Sequence, residues 1–526
     1  MNKVELAVIG AGPAGLAAAI EAAQLGVKVV VFDENAQPGG QLFKQIHKFF
    51  GSREHKAGTR GFRIGQELLA QTEQLGVKVN LGSTVFGLDK RNLWVLKDGR
   101  TEVFQTDAVI VATGASENAL AFKGSTLPGV MTAGAAQTFI NLHRVLPGKK
   151  VLMVGSGNVG LIVSYQLMQA GAEVVGLVEA APQIGGYGVH AAKIKRAGVP
   201  LFLGHTITEA IGEHQVESAV LTKLNGRFQP IPGSEKTLEA DTICIAVGLT
   251  PMMELARMAG AEFKYAPQMG GHVPIINDNM ETSIAGMFVA GDVCGVEEAS
   301  SAMEEGRLAG VTAAEYLKYV DGIAAADRKA LIREQLSAIR NGTFGIKAHP
   351  RDEVKEENIY GLKSSGTPSK DELDSCPGVP SKERLAKGPV AVIECVQEIP
   401  CNPCEQACPR GAIKVGKPIT SLPQLTENVC NGCASCVTAC PGLAIVTVDR
   451  TYDENKALVT FPYEYLPLPE TGAIVDAVNR QGEKICSGQV VKVRNNKKAD
   501  GTVAISLAVP EEYAMEVRSM AKGGTK

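Results

Sequence analysis

The same syntax is written twice along this chain: a strand-like apolar run, a G-x-G-x-x-G turn, an apolar helix-like stretch, and a second apolar run ending on an acid. The first copy reads Val4 to Ile9, Gly10-Ala11-Gly12-Pro13-Ala14-Gly15, an Ala-rich stretch to about Leu25, then Val27 to Phe32 closing on Asp33. The second reads Val151 to Val154, Gly155-Ser156-Gly157-Asn158-Val159-Gly160, a stretch to about Ala170, then Glu173 to Val178 closing on Glu179. Each glycine turn follows a strand and opens a helix, with an acid about 20 positions on, which is the full dinucleotide fingerprint. The glycines let the backbone turn tightly and approach a pyrophosphate. The helix N-terminus supplies N–H donors, and the acid accepts from ribose hydroxyls. A plain βαβ unit whose glycines serve only packing is the competing reading of either copy. The repeat predicts an α/β chain with two Rossmann-like three-layer dinucleotide-binding domains.

The 526 residues leave room for three or four domains with sizeable cores. The net charge of −3 gives no reason to expect nucleic acid as a partner. No apolar stretch approaches the ~20 residues needed to span a bilayer. Beyond about Ala313 the character changes. Residues 324–340 read as an amphipathic helix, 351–388 as a charged Pro- and Gly-bearing linker, and the tail from Leu466 as strands with turns at Asn495-Asn496 and Asp500-Gly501.

Eight of the twelve cysteines fall in two runs, Cys395, Cys401, Cys404, Cys408-Pro409 and Cys430, Cys433, Cys436, Cys440-Pro441. The second run is the C-x2-C-x2-C-x3-C-P pattern whose thiolates hold a 4Fe–4S cube and whose fourth cysteine serves the other cluster. Two 4Fe–4S clusters are therefore expected, one on Cys408, Cys430, Cys433 and Cys436, the other on Cys395, Cys401, Cys404 and Cys440. The five residues between Cys395 and Cys401 depart from the pattern, so Cys395 is the irregular member. Structural zinc competes, although zinc ribbons separate their C-x2-C knuckles further. Disulfides need an oxidising compartment. The opening Met1-Asn2-Lys3 leads into a run broken by Gly10, Gly12 and Pro13, unlike an export signal, so a reduced cytoplasmic location is expected.

Further landmarks are Pro38-Gly39-Gly40-Gln41, Asp107 to Gly114, and Gly286-Met287-Phe288-Val289-Ala290-Gly291-Asp292. With the two fingerprints, these residues resemble the flavoproteins with two dinucleotide-binding domains, the pyridine nucleotide-disulfide oxidoreductase superfamily, over about residues 1–320. The resemblance implies an FAD-binding domain in two pieces, 1–120 and 272–320, around an NAD(H)-binding domain at 121–271. It implies FAD contacts at Gly10, Gly12, Pro13, Ala14, Gly15, Asp33, Glu34, Gly40, Gln41, Val85, Ala112, Thr113, Gly114 and Gly291. It places Asp292 on the ribitol chain and Glu298 and Ala299 near the flavin ring. NAD(H) contacts are implied at Gly155, Gly157, Asn158, Val159, Gly160 and Glu179, and Glu179 without an arginine just after it favours NAD(H) over NADP(H). The redox-active cysteines of the disulfide reductases are missing, since no cysteine precedes Cys244. Cys244 and Cys294 read as small buried residues. No catalytic side chain is assigned, because the chemistry belongs to flavin and clusters.

The remaining layout is a helix and linker at 321–388, a two-cluster ferredoxin-like domain at 389–450 and a small β-rich module at 451–526. Pro38-Gly39-Gly40-Gln41, the missing redox cysteines and the iron–sulfur extension resemble the nucleotide-binding subunits of proline and hydroxyproline dehydrogenase, opine oxidase and hydrogen cyanide synthase complexes. Many of those end in a different, 2Fe–2S module. The resemblance implies an oxidoreductase subunit that moves electrons between NAD(H), FAD and clusters. Its partner in a hetero-oligomer would be a D-amino-acid-oxidase-like flavoprotein, with a small ferredoxin as a further partner. A stand-alone NADH:ferredoxin-type oxidoreductase and a non-catalytic electron-transfer or scaffold subunit holding a structural adenine nucleotide are the alternatives.

Overall fold

A computed structural model describes residues 2–342, 344–345 and 365–522. The chain forms two compact units, Met1–Glu117 with Gly248–Val354, and Asn118–Val247 with Lys355–Lys526.

In the first unit, the strand Asn2–Ile9 lies between Val29–Phe32 and the long strand Arg100–Val111, all parallel. Arg100–Val111 has three partners: Asn2–Ile9 along one edge, and on the other, residues 100–105 pair antiparallel with Asn92–Lys97 while Val109 to Val111 pair parallel with Met287–Val289. Within the Asn2–Ile9 strand, Leu6 to Ile9 is a buried, continuous apolar run, as a stretch covered on both faces must be. Over this sheet the helices Pro13–Gln24 and Ala299–Tyr316 cross at very short range. A Cβ on Gly306 would lie 2.1 Å from the carbonyl oxygen of Ala14, and one on Gly310 would lie 2.5 Å from that of Ala18. Only glycine at both positions permits this approach, which brings the Gly291–Ala299 segment over the first fingerprint.

The second unit holds a five-stranded parallel sheet in the order Leu201–Leu203, Glu173–Glu179, Lys150–Val154, Thr242–Ile245, Val130–Thr132. A three-stranded antiparallel sheet, His205–Ile211, Ser218–Lys223 and Lys236–Glu239, accompanies it. The chain leaves this fold earlier than the expected boundary at 271. Leu249–Pro251 already pairs with Ala115–Glu117 in the first unit, and Leu255, Ala256, Ala259 and Ala261 join that unit's core. Apolar side chains in a short helix, rather than a change of composition, decide where the crossover falls.

The C-terminal part differs from the expected division at 450/451. A single antiparallel sheet runs through it in the order Val390–Ile393, Ile445–Asp453, Lys456–Tyr463, Val503–Pro510, Lys484–Arg494, Ile474–Val478, Ser519–Met520. Ile445–Asp453 pairs on one side with a strand flanking the cysteines and on the other with the tail. Two strands alone would be marginal, and five more stabilise them. Of the expected linker, residues 351–364 lie outside the described residues. Residues 365–388 are built into the unit, with short helices Lys370–Ser375 and Lys382–Leu385. Arg384 holds this segment down by donating to the carbonyls of Glu427, Gly388, Pro389 and Cys430 at 2.6–3.0 Å. The expected amphipathic helix spans Gly322–Arg340, capped by Asp321, whose carboxylate accepts from Ile323 and Ala324 N–H.

Candidate cofactor sites

The three glycines of the first fingerprint do different work. A Cβ on Gly10 would lie 2.3 Å from the Ala112 carbonyl oxygen, and one on Gly15 would lie 1.9 Å from that of Gly10, so both are demanded by packing. A Cβ on Gly12 would meet no protein atom within 4 Å. The middle glycine therefore faces open space at the start of the helix Pro13–Gln24, where backbone N–H groups and the helix dipole favour a phosphate. Asp33 is buried at the end of its strand. One carboxylate oxygen accepts from Ala11 N–H at 2.6 Å and the other from Asn35 N–H at 2.8 Å. A carboxylate has about four acceptor positions, so the ribose is not thereby excluded.

Gly39 and Gly40 both have positive φ, and the Pro38-Gly39-Gly40 turn closes on the cradle. Gly39 N–H donates to the Ala11 carbonyl at 2.7 Å, and a Cβ on Gly40 would lie 3.0 Å from Gly12 Cα. Ala112 lies against the fingerprint with its N–H on the Ile9 carbonyl, and Thr113 Oγ1 donates to the Met252 carbonyl. Val85, half-buried, pairs with Val95 on the antiparallel flank, while Glu34 and Gln41 are exposed. Gly291 adopts φ 81°, ψ −153°, a conformation open to glycine alone, and its N–H donates to a Glu305 carboxylate oxygen at 2.9 Å. Asp292 Oδ1 accepts from Glu297 N–H, and Glu298 precedes the helix Ala299–Tyr316. The first unit thus carries every residue expected at the flavin.

The second fingerprint repeats this geometry. A Cβ on Gly155 would lie 2.2 Å from the Ala246 carbonyl oxygen, one on Gly160 would lie 2.1 Å from that of Gly155, and one on Gly157 would meet nothing. Glu179 accepts from Ser156 N–H at 2.9 Å with one oxygen and from Ala181 N–H at 2.8 Å with the other. Asn158 caps the following turn, its Oδ1 accepting from Tyr187 N–H at 2.8 Å, and Val159 is exposed. Arg196 donates to the Leu443 carbonyl.

Sequence reasoning misses the turn Gly185-Gly186, which closes on Ser156 and Asn158 as Gly39-Gly40 closes on Ala11 and Gly12. Gly186 N–H donates to the Ser156 carbonyl at 2.9 Å. A signal exists, because Gly185-Gly186 follows Glu179 at the same offset as Gly39-Gly40 follows Asp33. His55, one of eight scattered histidines, is likewise not singled out by its sequence context. It lies buried between Ser52 Oγ, 2.9 Å from its Nδ1, and the Glu304 carboxylate, 3.4 Å from its Nε2.

Cys408, Cys430, Cys433 and Cys436 line one small pocket, walled also by Ala391, Ile413 and Thr447. Backbone N–H groups reach two of the sulfurs, Ala412 to Cys408 Sγ at 3.2 Å and Ala391 to Cys430 Sγ at 3.4 Å. Burial pushes the Cys436 thiol up, and Cys430, Cys404, Cys433 and Cys408 push it further. Burial likewise raises Cys395, with Cys440, Cys404 and Cys376 adding to it, and Cys404 is pushed up to about 12 by burial and Cys440. Cys395, Cys404 and Cys440 are therefore neighbours. Cys401 lies on the same loop, its N–H on the Ile419 carbonyl. Cys376, from the segment expected to be linker, stands beside Cys395, its Sγ 3.8 Å from the Cys395 carbonyl oxygen.

Crowded buried thiols oppose one another's ionisation, and a bound cation reverses that cost. The donor set of Cys408, Cys430, Cys433 and Cys436, four thiols from both runs around one pocket, is the set that an iron–sulfur cluster takes. Among the described residues, no three or more His, Cys, Asp or Glu gather closely enough to hold a single metal ion. Beside Cys395, burial alone would raise the Glu394 carboxyl, but Arg518 and Arg480 overcome this and hold it at about 2. Cys244 and Cys294 are buried small residues, as expected. No described helix is long and apolar enough to cross a membrane.

Comparison with known proteins agrees with this geometry. One component of the opine oxidase of Agrobacterium tumefaciens is 30% identical over 334 residues, covering 60% of this chain and 66% of the relative. The HcnB component of the hydrogen cyanide synthase of Pseudomonas aeruginosa is 28% identical, covering 67% and 80%. The alpha chain of the sarcosine oxidase of Rhizobium meliloti is 26% identical, covering 72% of this chain but only 34% of its own length. This chain thus spans just under two thirds of the opine oxidase component and about a third of the sarcosine oxidase one. Among solved structures, thioredoxin reductase of Lactococcus lactis superposes with TM-score 0.51 at 20% identity, over 60% of this chain and 100% of that one. L-Proline dehydrogenase of P. horikoshii does so with TM-score 0.50 at 20% identity, over 64% and 58%. Both share the mixed α/β flavoprotein fold. The sequence pattern of one family matches residues 4–306, which hold both fingerprints and the Gly291-Asp292 turn: the chain belongs to the pyridine nucleotide-disulphide oxidoreductase family, and is an FAD-dependent oxidoreductase.

Proposed function

We propose that the chain is the electron-transferring subunit of an amino- or imino-acid dehydrogenase complex, exchanging electrons between NAD(H), FAD and two 4Fe–4S clusters on the eight paired-run cysteines. The observation that carries this reading is the cavity lined by Cys408, Cys430, Cys433 and Cys436, which draws ligands from both runs in the combination the ferredoxin pattern calls for. When bound, a flavin handles electrons in pairs and an iron–sulfur cluster handles them singly, so a chain holding both converts one into the other.

The residues supply binding and electrostatics. Gly12 and the N-terminus of Pro13–Gln24 would admit the FAD pyrophosphate, Asp33 and Asp292 would bond its hydroxyls, and Gly157 with Glu179 would do the same for NAD(H). The N–H groups of Ala391 and Ala412 donate to the Cys430 and Cys408 sulfurs and orient them. With no cysteine before Cys244 to form a disulfide at the flavin, electrons are passed to a carrier other than a thiol pair.

The C–N chemistry is read from two relatives named for their oxidation of opines and sarcosine, both secondary-amine amino acids. A D-amino-acid-oxidase-like flavoprotein would carry out that step in a hetero-oligomer, and a small ferredoxin would be a further acceptor. Stopped-flow mixing of the purified chain with NADH tests the nucleotide step: rapid bleaching of the flavin is expected, and an unbleached flavin overturns it. Purification from native cells tests the partner. A co-purifying amine-oxidising flavoprotein is expected, whereas a chain isolated alone and active with ferredoxin would instead make it a stand-alone NADH:ferredoxin oxidoreductase.

A further inference from the structure

We propose that Arg340 is a positioning residue for the flavin, setting the Gly291–Glu297 loop around Asp292 from the end of the helix Gly322–Arg340. The inference rests on FAD being held at Gly291 and Asp292. The helix lies beyond residue 306, where the family pattern ends.

The helix is firmly seated. Ala325, Lys329, Ile332, Leu336 and Ile339 form a buried stripe at helical spacing, and Asp321 caps its start. At its last residue the Arg340 guanidinium, with the side chain 15% exposed, turns back to two carboxylates. It donates to both oxygens of Glu297, at 2.6 Å from Nη2 and 3.1 Å from Nε, and from Nη2 to Glu305 Oε1 at 2.5 Å.

Both carboxylate-bearing residues also bond the flavin loop. The other oxygen of Glu305 accepts from Gly291 N–H at 2.9 Å. The N–H of Glu297 donates to Asp292 Oδ1 at 3.3 Å. Gly291 sits in a backbone conformation that has no local preference to sustain it, so its orientation depends on what holds its N–H. Arg340 therefore ties together the two residues that bond Gly291 and Asp292. Glu297 and Glu305 side chains are only 8% and 3% exposed, so losing the guanidinium removes the charge that bridges two neighbouring buried carboxylates, and they move apart or draw in another donor. Either response disturbs the loop. A lysine offers a point charge and cannot fork between both carboxylates, so it restores the arrangement only in part.

The test compares R340Q, R340K and R333Q in the full chain. Arg333 lies on the same helix but bonds Asn279 and the Asp278 carbonyl, away from the flavin loop. FAD release after dilution is followed by the rise in flavin fluorescence, with thermal unfolding recorded beside it. R340Q is expected to release FAD at least about tenfold faster than wild type, R340K to fall between, and R333Q to match wild type. Wild-type release from R340Q, or equal acceleration in R340Q and R333Q in step with lowered melting temperature, overturns the proposal and leaves Arg340 as a brace. If R340Q does not fold, R340K against R333Q decides by the same criterion. Wild-type protein that binds no FAD would instead refute the flavin assignment itself.

Discussion

Replacing Gly157 by alanine separates binding from folding at the second fingerprint. Gly157 has φ −62° and ψ 169°, an extended conformation that alanine adopts freely, and its Cβ would meet no protein atom within 4 Å. Stability should therefore hold or rise, by about 0.4–1 kcal/mol through a less flexible unfolded chain. The open space is where a pyrophosphate must approach the backbone, and a methyl group there displaces it from the N–H donors of the helix Asn158–Gln169. Loss of one charge-assisted hydrogen bond costs about 1.5–3 kcal/mol, which weakens NADH binding by roughly ten- to a hundredfold. Gly160→Ala is the opposite case. Its Cβ would lie 2.1 Å from the Gly155 carbonyl oxygen, so the fold itself should lose about 1–3 kcal/mol. The assay is flavin bleaching against NADH concentration, with thermal unfolding of the same preparations. A Gly157→Ala protein with wild-type NADH affinity and an unchanged melting temperature would refute the assignment of this turn as a dinucleotide cradle.

Three further outcomes follow from the same geometry. Asp292→Ala should yield folded but FAD-poor protein by absorbance ratio; full occupancy would remove Asp292 from the flavin site. Cys401→Ala should lower the iron content by about half while Cys376→Ala leaves it unchanged, and the reverse result would make Cys376 the fourth ligand beside Cys395, Cys404 and Cys440. Glu394→Gln removes the carboxylate that accepts from Arg518 at 2.7 Å and Arg480 at 2.6 Å, leaving the nearly inaccessible Arg518 side chain without its counter-ion. Unfolding should become easier by about 3–5 kcal/mol, and a loss below about 1 kcal/mol would mean that the charge is compensated elsewhere.

The parts legible in the sequence are those whose chemistry is local. Gly10, Gly15, Gly155 and Gly160 are where a side chain cannot fit, and Asp33 and Glu179 stand at strand ends, so spacing alone identifies them. Harder to read are features that depend on distant partners. The chain returns to the first unit at Gly248 because Leu249–Pro251 pairs with Ala115–Glu117, far back along the sequence. Ile445–Asp453 joins the cysteine-flanking strand to the tail because it finds partners on both sides. Arg384 and Arg340 look like surface charges in a polar stretch, yet each is turned inward by carbonyls or carboxylates from other segments. Sequence periodicity carries no record of such long-range satisfaction of a buried cation.

The most direct test of the central claim is iron and acid-labile sulfide analysis of anaerobically purified protein, with electron paramagnetic resonance before and after NADH. Two clusters on eight cysteines predict about eight iron and eight sulfide per chain, and signals of reduced 4Fe–4S centres appearing after NADH is added. Protein free of iron, or holding zinc on the same cysteines with its flavin still reducible by NADH, would contradict the account.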